Sequence, residues 1–187
     1  MYSLFPEHLS QEWSGYVIVR PQHLPIPLTP VVPNFYGLYA PDEATISDSG
    51  SGNAKPKLIM LMEECGKPIR LDKLSTCASW SHLLRLHIAG FVQGSFHTRN
   101  LLVQPGPLCL PPSQRTMKHP SYRIIDFGRG RAERDYADNW AFVLREKKED
   151  QEQAMVSLSV EEADVLASLY LGGQARDVDE EDPLPLD

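Results

Sequence analysis

Two short apolar runs constrain this chain more than any other feature. Leu101-Leu102-Val103 and Tyr122-Arg123-Ile124-Ile125 both have strand character. Asn100 immediately precedes the first run, and Asp126, in Asp126-Phe127-Gly128, immediately follows the second. Paired antiparallel, the runs deliver Asn100 and Asp126 to the same edge of a hairpin, aimed at one cleft. The proline-rich stretch from Gln104 to Ser121 then bulges from the far end without disturbing the pair. Asp and Gly after a strand are by themselves a turn signal, and a lone Asn caps a turn. The two together, in order, with His87-x-x-Gly90 ahead of them, say more than either alone.

The rest of the chain predicts an α+β domain. A short helix is expected around Pro6 to Trp13, followed by a strand over Tyr16-Val17-Ile18-Val19. Pro21, Pro25, Pro27, Pro30 and Pro33 then forbid helix and interrupt any central strand. Phe35 to Tyr39 reads as a short strand, residues 40–56 as a flexible polar loop, and Leu58 to Met62 as a buried strand. A helix is expected from about Ala78 to His87, stopped by Gly90, and His87 reads as one of its structural residues. A further helix covers Tyr136 to Ala154, and another starts at Ser159, where Ser159-x-x-Glu162 has capping-box spacing, and ends at Gly172-Gly173.

Composition removes several function classes. The 187 residues carry a formal net charge of −7, which argues against nucleic-acid binding, a task that needs clustered Lys and Arg. Much of the acidic excess lies in Asp177, Asp179, Glu180, Glu181, Asp182 and Asp187, which read as a solvated tail over 175–187. The three cysteines, Cys65, Cys77 and Cys109, form no CxxC pair, so neither a disulfide framework nor a zinc site is indicated. The longest apolar run is too short to span a bilayer, and no secretory leader is apparent. The expectation is an intracellular protein, cytoplasmic or nuclear, with no membrane partner.

The segment from Leu86 to Val103, containing Gly90-Phe91-Val92-Gln93-Gly94-Ser95-Phe96-His97-Thr98-Arg99-Asn100, together with Asp126-Phe127-Gly128, resembles the catalytic loop and DFG motif of the protein-kinase-like superfamily. The likeness runs from about Leu58 to Arg131 and is strongest at its two ends. It implies a protein-kinase-like fold, mostly C-lobe, with a truncated or remodelled N-lobe. Residues 1–56 would be the N-lobe remnant and loop, and 57–174 the hinge and C-lobe. ATP and Mg²⁺ are the implied cofactors, with Asn100 and Asp126 as metal ligands; oxygen donors of this kind suit Mg²⁺, which takes its other contacts from water and phosphate. In the same likeness Leu58 to Gly66 is the hinge: Met62 is the gatekeeper beside adenine, while the Glu63 carbonyl and Cys65 amide meet the adenine edge. Without the downstream motifs, the same residues read equally well as a plain strand and turn.

One departure decides the functional expectation. In H-R-D-x-x-x-x-N the aspartate stands five positions before the asparagine, and here that position is Ser95. A serine hydroxyl is not a usable base near neutral pH, and general-base assistance is typically worth about 10²–10⁴ in rate. His97 takes the place where many kinases carry a Lys or Arg facing the γ-phosphate, and is only partly charged at neutral pH. Arg99 reads as a surface or loop-bracing residue. No G-x-G-x-x-G precedes the hinge, no V-A-I-K strand is evident, and no A-P-E follows Asp126. The Gln93-Gly94-Ser95-Phe96 sequence is similar to kinase-like proteins of mushroom-forming fungi that carry Q-G-S in place of H-x-D. Three functions therefore stand open: a pseudokinase-type domain holding ATP and Mg²⁺ with impaired transfer, an active atypical kinase or small-molecule phosphotransferase, and a nucleotide-free scaffold for a protein partner.

Overall fold

A computed structural model describes residues 1–13, 15–19, 24–40, 58–136 and 138–160. Among them the chain is mixed α+β, with two α-helices and several small antiparallel sheets. The strands are β1 (Tyr16–Val17), β2 (Ile26–Pro27), β3 (Phe35–Tyr39), β4 (Ile59–Met62), β5 (Lys67–Pro68), β6 (Phe91–Val92), β7 (Leu101–Gly106), β8 (Thr116–Ile124) and β9 (Arg131–Ala132). The helices are α1 (Lys73–Ile88) and α2 (Trp140–Leu158). No helix among the described residues is long and apolar enough to cross a membrane.

Helix α1 is the centre of the domain. It starts earlier than its apolar spacing suggests because Asp72 caps it, its carboxylate accepting the Ser75 N–H at 2.8 Å. Its buried residues lie on all sides, from Cys77 and Ala78 through Trp80, His82 and Leu83 to Leu86, so it is enclosed rather than amphipathic. It packs against β2, β6, β8 and α2. Gly90, at φ 82°, turns the chain into β6 as expected of a helix-ending glycine.

The three-stranded sheet has the order β5-β7-β8, all antiparallel. The expected hairpin is present, with Leu101 opposite Ile124 and Val103 opposite Tyr122. Its strands reach well into the proline-rich stretch, because Pro105 falls at a register shift between Gln104 and Gly106, where no ladder bond is demanded of it. Residues 29–32 lie along the sheet: Val31 O accepts the Ile124 N–H at 2.8 Å, and Val31 and Val32 are buried with Leu9, Ile26, Leu83 and Phe96.

Several expectations need correction. The helix expected over Pro6 to Trp13 is a single 3-10 turn, Glu7–Leu9, and the Tyr16 strand ends at Val17. The strand at Leu58 to Met62 forms, as Ile59–Met62, yet its first three residues are exposed; among the described residues it pairs only with β3. Helix α2 starts at Trp140, where Asn139 accepts the Phe142 N–H at 3.1 Å, and runs on to Leu158. Ser159 closes that helix in a left-handed conformation, φ 53°, and so does not have the extended backbone of a helix-starting cap. The remainder of the helix expected after Ser159, the loop at 41–56 and the acidic tail lie outside the described residues.

His82 ties α1 to the 29–31 segment. Its Nδ1 lies 2.7 Å from Ala78 O, and its Nε2 lies 3.0 Å from Pro30 O and 3.2 Å from Thr29 Oγ1. Burial, reinforced by the nearby positive charge of Arg85, pushes its pKa down to about 3. The unfolded chain therefore binds a proton at His82 that the folded chain refuses, and stability contributed by neutral His82 is lost as pH falls from about 6.5 toward 3. Urea unfolding at about pH 7 and about pH 5 should show a loss of stability in the parent that is smaller in His82→Gln. Equal losses in the two proteins would contradict this role.

Candidate functional site

The loop that carries Ser95 and His97 is held by a buried acid from a distant element. Asp150, 1% exposed on α2, accepts the Gln93 N–H at 2.7 Å on Oδ2 and the Gly94 N–H at 2.8 Å on Oδ1. Its Oδ2 also lies 3.2 Å from His87 Nε2, so His87 is a structural residue of α1, as its sequence position suggested. A carboxylate this deep is tolerable because both oxygens are satisfied by donors. Gly94 is needed at this point: its φ is 75°, and a Cβ there would press on Arg129 O.

Gln93 connects the loop to the Asp126 strand. Its side chain is fully buried; Oε1 accepts the Ser95 N–H at 2.6 Å, while Nε2 donates to Ile125 O at 3.1 Å and to Asp126 O at 3.0 Å. Farther along, Gln153 Oε1 accepts the Phe96 N–H at 3.1 Å and Ser157 donates to Phe96 O at 3.0 Å. The loop is thus fixed to α2 at one end and to the 125–126 backbone at the other.

Asn100 closes a 3-10 turn, Thr98–Asn100, whose first carbonyl, that of His97, accepts the Asn100 N–H at 2.8 Å. Its carbonyl accepts the Ile125 N–H at 2.9 Å, which continues the β7–β8 ladder and sets Asn100 beside the residue before Asp126. Its side-chain Nδ2 donates to Ser95 O at 3.0 Å. One Nδ2 hydrogen is thus engaged, and Oδ1 is the side-chain atom with the chemistry to ligate a cation. Ser95 is buried and works here through its backbone; His97 is half-buried and Arg99 is exposed.

Asp126 is exposed and has a left-handed backbone, φ 60° and ψ 62°, a conformation aspartate tolerates better than most residues. Its N–H donates to the Tyr2 hydroxyl at 3.1 Å. Phe127 is buried beneath Tyr2 and Phe5, with edge-on ring centroids at 5.5 and 4.7 Å, and Phe5 stacks edge-on against Phe91 at 4.9 Å. Burial raises the Tyr2 phenol above its usual pKa, partly offset by its bonds to the Asp126 and Phe127 backbone. Met1 also reaches this turn, lying against Gly130.

The residues expected at a hinge lie one strand away. Met62 ends β4 opposite Phe35 and is half-buried. Glu63 turns its carboxylate to the buried Arg123, 2.8 Å from Oε1 to the guanidinium, and accepts the Asn34 N–H at 3.0 Å. Arg123 also donates to Ser121 Oγ, Tyr122 O and Pro30 O, so this buried cation is fully engaged. Cys65 is buried, donates its S–H to Glu63 O at 3.3 Å, and has its thiol pKa pushed up to about 11 by burial and by the charge of Glu63. The segment then runs antiparallel to β7: Gln104 Nε2 donates to Glu64 O at 3.0 Å, and Ile69 N–H to Leu101 O at 2.9 Å. Glu63 to Cys65 therefore lie toward the far end of β7 from Asn100, which precedes its first residue.

The sequence marks Gln93 only as part of Gln93-Gly94-Ser95-Phe96, and its bracing role and that of Asp150 emerge from the fold. The signal for Asp150 is its register: Val143, Asp150, Ala154 and Leu158 are the buried residues of α2, spaced as one helical stripe, and the acid occupies an apolar position. Gln93 carries no comparable signal. Among the described residues no group of three or more His, Cys, Asp or Glu is arranged to hold a metal, and a pair of one amide and one carboxylate falls below that number. Comparison with family models, with curated proteins and with solved structures gives no match for this chain.

Replacing Asp150 by Ala strands two buried amide donors at once. Unsatisfied buried groups cost about 1–3 kcal/mol each, so the variant should lose about 3 kcal/mol in urea unfolding. A loss below about 1 kcal/mol would mean that the clasp is not what holds the loop.

Proposed function

We propose that this chain is a protein-kinase-like domain of the pseudokinase type, which holds ATP with Mg²⁺ and transfers phosphate poorly or not at all. The observation that carries the reading is the set of bonds around Asn100. Its Nδ2 donates to Ser95 O and its carbonyl accepts the Ile125 N–H, so Asn100 is held beside the strand end that bears the exposed Asp126, where its Oδ1 would be the atom to ligate a cation. An amide oxygen and a carboxylate are hard donors that suit Mg²⁺, with water and phosphate oxygens completing its shell. The ion would neutralise phosphate charge and orient the triphosphate.

The hinge residues fit the other end of the same ligand. Glu63 to Cys65 lie toward the far end of β7 from Asn100, so an extended nucleotide would have its base at one end of the strand and its phosphates at the other. Met62 would flank the adenine, and the Glu63 carbonyl and Cys65 amide would meet its edge. At the reacting end Ser95 offers no base, and its backbone is engaged by Gln93 and Asn100. His97 would face the terminal phosphate with only partial charge. Positioning without proton acceptance is the chemistry of a nucleotide holder, in an intracellular setting and with a protein partner reading the loaded state.

A second reading has its own observation. Tyr2 and Phe5 lie against Phe127 of the Asp126-Phe127-Gly128 turn, with Met1 beside Gly130, and the Tyr2 hydroxyl takes the Asp126 N–H. That cover favours a nucleotide-free module in which the turn is structural. The enzyme reading, an active atypical kinase or small-molecule phosphotransferase, has no comparable support at Ser95.

Thermal unfolding with Mg²⁺ and ATP separates these readings. At a hundredfold excess over Kd, ligand stabilises a fold by about 2.7 kcal/mol, which raises Tm by several degrees in a domain of this size. The shift should vanish in Asp126→Ala, and phosphate transfer should appear or rise in Ser95→Asp. No shift at millimolar ATP leaves the module; transfer by the parent chain, lost in Asp126→Ala, restores the enzyme.

A further inference from the structure

Residues 1–5 are attached to the rest of the domain by side chains alone. Among the described residues their one backbone hydrogen bond, Leu4 N–H to Met1 O at 2.8 Å, closes the 3-10 turn Tyr2–Leu4 on itself. No residue of that turn is buried. Farther along, the attachment changes in kind. Leu9 is 1% exposed, and its carbonyl accepts the Val31 and Val32 N–H groups at 2.7 and 3.1 Å. Phe5, held edge-on by both Phe91 and Phe127, separates the two regimes. Residues 1–4 can therefore open without breaking a backbone bond to the body, which is the mark of a local unit of low stability.

Within that loose unit, Tyr2 reaches both walls of the candidate site. Its ring stacks on Phe35, with centroids 6.2 Å apart and planes 21° from parallel, and it meets Phe127 edge-on at 5.5 Å. Phe35 lies opposite Met62, and the adjoining Asn34 O accepts the Glu63 N–H at 2.9 Å, so this wall is the one assigned to adenine. Phe127 follows Asp126, whose N–H goes to the Tyr2 hydroxyl, so the other wall is the one assigned to metal and phosphates. Burial raises the phenol's pKa, and the charges of Asp126 and Cys65, one from each wall, add to the effect. A ring that touches both walls stands in the space that a nucleotide extended between them needs.

Building on the reading of this site as a nucleotide holder, we propose that Tyr2 is a displaceable plug: seated, it excludes ATP from the cleft, and nucleotide enters when residues 1–4 swing out about Phe5. The cover over the Asp126 turn and the groups furnished for a ligand then belong to two states of one chain. A ligand that binds the open state alone sees its affinity reduced by the fraction open, so a plug seated about nine-tenths of the time weakens binding about tenfold.

Equilibrium titration of the full chain with ATP and Mg²⁺ tests this. The dissociation constant should fall about tenfold or more in Tyr2→Ala, and by less in Tyr2→Phe, which keeps the ring and loses the hydroxyl's bond. A measurement on the parent chain decides the matter even if Tyr2→Ala fails to fold. With 3-fluorotyrosine incorporated, the Tyr2 fluorine signal, identified by its absence from Tyr2→Phe, should move toward that of free tyrosine as ATP and Mg²⁺ saturate. Equal affinity in the parent and Tyr2→Ala, or a Tyr2 signal that stays in place at saturation, would overturn the plug and leave the nucleotide reading standing. Absence of binding in both proteins would overturn the two together.

Discussion

The Asp150 carboxylate, buried on α2 and shared between the amides of Gln93 and Gly94, is the contact on which the 93–100 loop depends. Without it two consecutive N–H groups would be stranded in the interior, and the loop would have to rearrange to reach water. With it, the 93–100 segment is pinned to α2, and Gln93 passes that order across to the carbonyls of Ile125 and Asp126. Asn100 completes the circuit through Ser95 O and Ile125 N–H. Order at the candidate site thus comes from a chain of hydrogen bonds that starts on a helix far away in sequence.

A second anchor fixes the 63–66 segment. Arg123 is enclosed by carbonyls and by Glu63, so the strand that leads to Asp126 and the segment after β4 share one buried ion pair. Such a pair contributes less to stability than to specificity of arrangement, since both charges leave water to make it. Here it joins residues sixty positions apart and sets the 63–66 segment alongside β7.

The parts of this architecture that were legible in the sequence are those governed by local rules. Short apolar runs marked β7 and β8, and the Asn and Asp at their ends anticipated the antiparallel hairpin in which Leu101 lies opposite Ile124. Gly90 marked the end of α1. What escaped was set by partners remote in the chain. Asp150 sits in a run of Lys, Glu and Gln that looks like a solvated face, and only its spacing with Val143 and Ala154 betrays it. The exposure of Ile59 to Leu61 escaped for the converse reason: an apolar run predicts a strand but not how much of it the rest of the fold covers. Pro105 and Pro120 suggested an irregular insertion, but a bulge and an edge strand accommodate both within the sheet.

The central claim is that Asn100 and Asp126 meet one divalent ion in the presence of ATP. Mn²⁺ replaces Mg²⁺ at oxygen sites and broadens nearby nuclear magnetic resonances, so the direct measurement is a ¹⁵N spectrum titrated with Mn²⁺ and ATP together. The side-chain NH₂ signal of Asn100 and the backbone signals of Asp126 and Phe127 should be lost first, with Ser95 close behind, while signals from the exposed surface of α2 persist. Signals of Asn100 and Asp126 that remain sharp at saturating Mn²⁺ and ATP would contradict the account.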